Sequence, residues 1–143
     1  MSVPVTNSAR GVTLIELMVV VVVLAIIGTI AVPSYRSYMQ RAQRADAKAE
    51  LLRIRSVQEK FFLQNNFYAD TAALTARGLI GPSEHGHYTI DLPNVTKTTF
   101  TARASAVKGQ LEDEACRTFT VNELGVAKAA TASGLDNTAI CWR

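Results

Sequence analysis

One carboxylate, Glu16, stands near the start of a long apolar run over residues 11–32, GVTLIELMVVVVVLAIIGTIAV. An unpaired carboxylate in hydrocarbon costs roughly 2.5 kcal/mol or more, so an acid in such a place reads as functional. A second group of chemistry-bearing residues is cationic: Arg41, Arg44, Lys48 and Arg55. On a helix their spacing puts them within about 60° of one another, as a row for phosphates, for a neighbour's acids or for solvent. Glu84, His85 and His87 fall beside glycines, and Glu112, Asp113 and Glu114 are consecutive. Both sets read as exposed turns, because a metal needs side chains that converge, and neighbours in sequence rarely do. No nucleophile stands at a spacing from a base that acyl transfer would need. The expectation is therefore no enzyme, no cofactor and no metal.

The element that positions Glu16 is the apolar run itself. Residues 19–23 are all valine, so no polar face exists. A helix apolar all round is a membrane span or the interior of an assembly. About 20 residues at ~1.5 Å each cross a ~30 Å hydrocarbon core. The single charge before the run, Arg10, adjoins Gly11. A secretory signal would place its cleavage site after the apolar region, whereas a cut at Gly11 would leave that region in the mature chain. Charge does not orient the span, since Arg36, Arg41 and Arg44 follow it. Gly28 and Pro33 weaken the helix and predict a kink. Helix formers then continue without Gly or Pro over residues 35–62. Ala47, Leu51, Ile54, Val57, Phe61 and Phe62 share a face that needs a cover. The reading is one helix of roughly 50 residues, about 75 Å long, ending near residues 64–66.

The remainder must supply that cover. Residues 72–76 read as a short helical turn. Alternation predicts strands over residues 87–92, 98–107 and 117–124, with Phe100, Ala102, Ala104 and Ala106 on one side of the second and Phe119 and Val121 on one side of the third. Short connections imply an antiparallel meander packed on the helix. The last stretch, residues 125–143, is small and polar and builds no core of its own. With 143 residues, one ordinary domain is expected beyond the span, and a net charge of +3 is too small to imply nucleic acid.

The segment Arg10-Gly11-Val12-Thr13-Leu14-Ile15-Glu16-Leu17 resembles the prepilin signature of type IV pilins. QEKFF and QNNFYAD resemble the end of the pilin helix, and CRTFTVNELGV with the final CW resembles the disulfide-bounded region, most like PilE-type minor pilins of the type IVa class. Val12 departs from the phenylalanine that usually opens the mature chain. The resemblance implies an α+β type IV pilin fold, one long N-terminal helix on a small antiparallel β-meander. It implies a leader over residues 1–11 removed by a prepilin peptidase after Gly11, and N-methylation of Val12. Residues 12–34 would be a transmembrane helix before assembly and filament core after it. Residues 35–143 would be the periplasmic or extracellular domain, which places the chain in the bacterial inner membrane and the pilus. Cleavage would give Val12 an ammonium four residues from Glu16, able to pair within the chain or with a neighbour's acid, since a buried ammonium and carboxylate are tolerable only together. Export puts Cys116 and Cys141 in an oxidising compartment, where two cysteines read as one disulfide. The implied partners are other pilin subunits, the peptidase, the inner-membrane assembly machinery and, before assembly, the membrane. The implied function is a structural minor subunit serving pilus biogenesis, adhesion and twitching motility. The alternatives are a DNA-binding minor pilin for natural transformation, with nucleic acid the less favoured partner, and a type II secretion pseudopilin.

Overall fold

A computed structural model describes residues 11–143. The leader reading, apart from Gly11, lies outside the described residues. The chain divides into two compact units, the second being Met39–Arg143. Helix α1, Leu14–Asn65, contributes to both and stays helical through Gly28 and Pro33.

In the first unit the start of α1 is set by Thr13. Its Oγ1 accepts the Glu16 amide at 3.3 Å, which satisfies one of the orphan donors of the first turn. Thr-x-x-Glu is the residue pattern of a capping box. Glu16, in that first turn, also lies where the helix dipole favours a negative charge.

In the second unit α1 ends where expected. Asn66 takes a left-handed conformation (φ 59°), which turns the chain out of the helix. Ala47, Leu51 and Ile54 are fully buried, and Val57, Phe61 and Phe62 pack against the same core. The periodicity did not mark Gln58, which is also fully buried. Its amide donates to the Ala69 carbonyl and accepts the Ala69 N–H, both at 2.8 Å. That pair of bonds returns the loop to the helix without leaving a buried polar group unmatched. Helix α2, Thr71–Thr75, follows, its N-terminus capped by Asp70 through Ala73 N–H at 2.8 Å.

Five strands then form one antiparallel sheet whose spatial order repeats the chain order: β1 Gly81–Pro82, β2 Tyr88–Val95, β3 Phe100–Ala106, β4 Thr118–Asn122 and β5 Ala127–Ala130. The three strands expected from alternation are β2, β3 and β4. Phe100, Ala102, Ala104 and Ala106 are buried on one face of β3, and Phe119 and Val121 on one face of β4. Strand β2 continues past Pro93, where the sequence put its end. A register shift between Asp91 and Asn94 takes up the residue that cannot donate to the ladder.

The C-terminal stretch is more structured than its composition implied. It supplies β5 and a short helix α3, Thr138–Cys141. These residues build no core themselves, but Ala129 and Cys141 join the existing one. The acidic triplet also departs from the expected open turn. A 3-10 segment, Lys108–Glu112, leads into it. Glu112 and Glu114 are exposed, while Asp113 is buried with only 4% of its surface accessible.

Candidate functional site

The apolar half of α1 presents its side chains outward. Leu14, Ile15, Leu17, the five valines 19–23, Leu24, Ile26, Ile27, Ile30 and Val32 are each at least about half exposed. Among the described residues no core covers them. Among the described residues the Glu16 carboxylate makes no ion pair. An apolar surface of this size in water marks an interaction face, for lipid or for like helices.

The row Arg41, Arg44, Lys48 and Arg55 is largely consumed inside the second unit. Arg44 donates from Nε and an Nη to the two oxygens of Asp113, at 2.7 and 2.9 Å. Asp113 also accepts from the Gln110 amide at 3.1 Å and from Cys116 N–H at 3.3 Å. Lys48 donates to the Arg143 carbonyl at 2.6 Å and stands 6.0 Å above the Trp142 ring. Burial, then the charge of Arg44, push its ammonium below the usual lysine range. The Arg55 guanidinium fills the space over Gly125 (φ +76°), where a Cβ would come within 2.6 Å of it. Only Arg41 of the four is exposed. The helical spacing is as expected, but an open anion-binding row does not result. The sequence could not show that Asp113, the C-terminal carbonyl and the Gly125 turn occupy these cations first.

A different set of cations is exposed. Arg53, Lys60 and Arg77 line a surface hollow of about 450 Å³ with Phe61, Gln64 and Leu79. Arg77 stacks its guanidinium 5.2 Å over the Phe61 ring, a cation–π placement. Arg53 keeps one weak partner, Glu50 at 3.4 Å, and is more than half exposed. This cluster escaped sequence reasoning because Arg77 arrives from the loop after α2.

Cys116 and Cys141 form a disulfide, with Cα atoms 5.7 Å apart across a separation of 25 residues. The bridge joins the start of β4 to α3. Trp142, beside it, donates its indole N–H to the Lys128 carbonyl at 3.0 Å and meets Phe119 edge to face at 5.9 Å. The C-terminal segment is thereby fixed to the sheet.

The turn at His85 is attached to α1 rather than free. Asp46 accepts the Ser83 hydroxyl at 2.5 Å and faces His85 Nδ1 at 3.2 Å. Burial raises the Asp46 pKa, but the Ser83 and His85 hydrogen bonds outweigh it and take the group below the usual carboxylate value.

The comparisons agree with this architecture. Residues 6–32 match the prokaryotic N-terminal methylation motif. Residues 33–120, more than half of the chain, match the family described as type IV minor pilin ComP, DNA uptake sequence receptor. The crystal structure of the non-core minor pilin PilV of Neisseria meningitidis is similar, with a TM-score of 0.54 and 20% identity, over 67% of this chain and 91% of that one. A type IV pilin of Shewanella oneidensis also aligns, with a TM-score of 0.49 and 19% identity, over 62% of this chain and 89% of that one. Identity at the level of PilV speaks for the fold alone. No curated protein sequence matches the chain. The long helix, the five-stranded antiparallel sheet and the two matches converge: this chain belongs to the type IV minor pilin ComP family.

Proposed function

We propose that this chain is a minor structural subunit of a type IV pilus, assembled through its N-terminal helix. The observation that carries the reading is the exposed apolar half of α1, headed by Glu16 and lying within the matched methylation motif. In this reading the prepilin peptidase removes residues 1–11 after Gly11 and Val12 is methylated. Residues 12–34 sit in the inner membrane with the second unit on the periplasmic side. Assembly machinery then moves them into a filament core, with other pilin subunits as neighbours. Lipid tails are as apolar as valine, so exchange of lipid for helices gives little hydrophobic gain. Packing and a Val12 ammonium–Glu16 pair between neighbours supply the preference for the filament. Gly28 and Pro33 give α1 the freedom to bend as it leaves the membrane. The test is to shear filaments from cells and assay them for this chain. Its presence at trace stoichiometry, starting at Val12, supports the reading, whereas a chain confined to the membrane with Met1 intact overturns it.

A second reading, DNA capture for uptake, is favoured by the matched family's description and by the exposed cations Arg53, Lys60 and Arg77. Three phosphate contacts predict a log–log salt slope of roughly −2.7 for duplex binding. Lys60→Ala with Arg77→Ala should flatten that slope, while Arg44→Met should not change it beyond its effect on folding. Salt-independent binding, or none at low salt, argues against this reading.

A further inference from the structure

The chain has two histidines, and both lie in one turn, as Glu84-His85-Gly86-His87. Gly86 has φ +70°, the left-handed conformation that folds the turn back. The two imidazoles are nearly parallel, 10° apart in plane, with centroids separated by 6.4 Å. Two imidazoles bound through one nitrogen each to a tetrahedral ion stand roughly 5 Å apart centre to centre, given Zn–N distances of about 2.1 Å. Rotation about side-chain bonds of the exposed His85 covers the difference. Glu84 and both histidines line the same hollow of about 400 Å³, floored by Ala42, Ala45 and Ala49 of α1.

The decisive contact is between His85 and Asp46, which lines the same hollow. Asp46 Oδ1 lies 3.2 Å from His85 Nδ1, and the second oxygen, Oδ2, is fixed by Ser83. A carboxylate on Nδ1–H sets the tautomer, so the Nε2 lone pair is left as a ligand. Carboxylate–histidine pairs of this kind support metal-bound histidines. The side chain of Asp46 is only 7% exposed while that of His85 is 68% exposed, so the orienting group is rigid and the ligand is accessible. Both cysteines are in the disulfide, so no thiolate competes for a soft ion. Among the described residues no three candidate ligands already converge. The arrangement is a primed pair with an acid at hand, not a finished cage.

We propose that His85 and His87, with Glu84 as the third ligand and Asp46 as the orienting carboxylate, bind one divalent transition-metal ion of the zinc type. The ion keeps at least one open position, which a water fills. Glu50 also faces the hollow and adds negative charge, whereas the Lys108 ammonium, which approaches Gly86, opposes the ion from an exposed, adjustable side chain.

The test is zinc titration of the full chain, without any histidine tag, in detergent, read by calorimetry and by the imidazole carbon-bound proton signals in NMR. One ion per chain is expected, with both imidazole signals shifting together. His85→Ala and His87→Ala should each weaken binding at least tenfold with an unchanged far-UV spectrum. Asp46→Asn should weaken it about 10- to 100-fold, as loss of a supporting carboxylate does. If Asp46→Asn fails to fold, the alanine variants at exposed His85 and half-buried His87 and the wild-type NMR shifts decide. No binding at zinc concentrations up to about 1 mM, far weaker than a site with two imidazoles requires, would overturn the proposal. So would binding that survives both histidine substitutions.

Discussion

Replacement of Asp113 by alanine tests how the sheet is held to the helix. The Asp113 carboxylate is 4% exposed and receives both arms of Arg44, whose side chain is 12% exposed. It also receives the Gln110 amide and the Cys116 N–H. Asp113→Ala strands a nearly buried guanidinium and two donors. Loss of one partner of a buried pair costs about 3–5 kcal/mol, a large share of the roughly 5–15 kcal/mol that holds a domain folded. With a urea m-value near 1.5 kcal/mol/M, the midpoint of the unit from Met39 onward should fall by about 2–3 M. The second arm of the assay is Arg44→Met combined with Asp113→Ala. The apolar replacement removes the stranded charge, so the double variant should recover about 1–3 kcal/mol relative to Asp113→Ala. A loss below about 1 kcal/mol for Asp113→Ala, or two substitutions whose effects merely add, would refute this account of the pair.

Cys116→Ser or Cys141→Ser should lower stability by about 2–5 kcal/mol in the same urea assay, with faster amide exchange over residues 131–143. Gln58→Leu removes both partners of Ala69 and should cost roughly 2–3 kcal/mol, with exchange accelerated at the Ala69 amide. Burial pushes the Tyr88 phenol well above its usual range, against the opposing effect of the Gln110 hydrogen bond. The unfolded phenol ionises near pH ~10 while the folded one stays protonated, so stability should be intact below that pH and fall by about 1.4 kcal/mol per unit above it. Tyr88→Phe should flatten that slope in urea melts between pH 9 and 11.5, Tyr68, also raised by burial, supplying the remainder. Glu16→Ala should leave insertion and cleavage intact but reduce incorporation into filaments several-fold by immunoblot; normal incorporation would make the acid incidental.

What the sequence made legible was periodic. The α1 stripe and the alternating faces of β3 and β4 come straight from apolar residues at helical and strand spacing, and these were found buried or packed against the core. The prepilin segment was equally plain, because leader, glycine, acid and apolar run occur together. What escaped was carried by polar or small residues acting at a distance. Gln58 and Asp113 look like surface residues until the partners that satisfy them are known. Strand β5, with the sequence AKAA, has no β-branched residue to announce it, and is held by pairing with β4 and by the adjacent disulfide. The basic row failed as an open surface for the same reason, since helical spacing says which residues share a face but not what arrives to cover it. Thr13 was legible in principle through Thr-x-x-Glu, but the apolar run drew the reading to Glu16 as a charge rather than as part of a cap.

The order of the sheet bears on how this chain reaches its fold. Each strand pairs with the one just before it in the chain, so no strand waits for a later one to be inserted between its neighbours. Pairings of this kind close short loops and favour quick, stepwise formation. A unit threaded across a membrane N-terminus first could add hairpins in the sequence in which they emerge. The oxidation step sits differently. Cys116 precedes β4, whereas Cys141 follows all five strands. Its partner therefore arrives only after the sheet has been laid down, and the bond acts as a seal on a finished meander rather than as a guide to its assembly. In the reading proposed above, in which the unit is exported, an oxidant that acts before Cys141 emerges meets a lone Cys116 thiol.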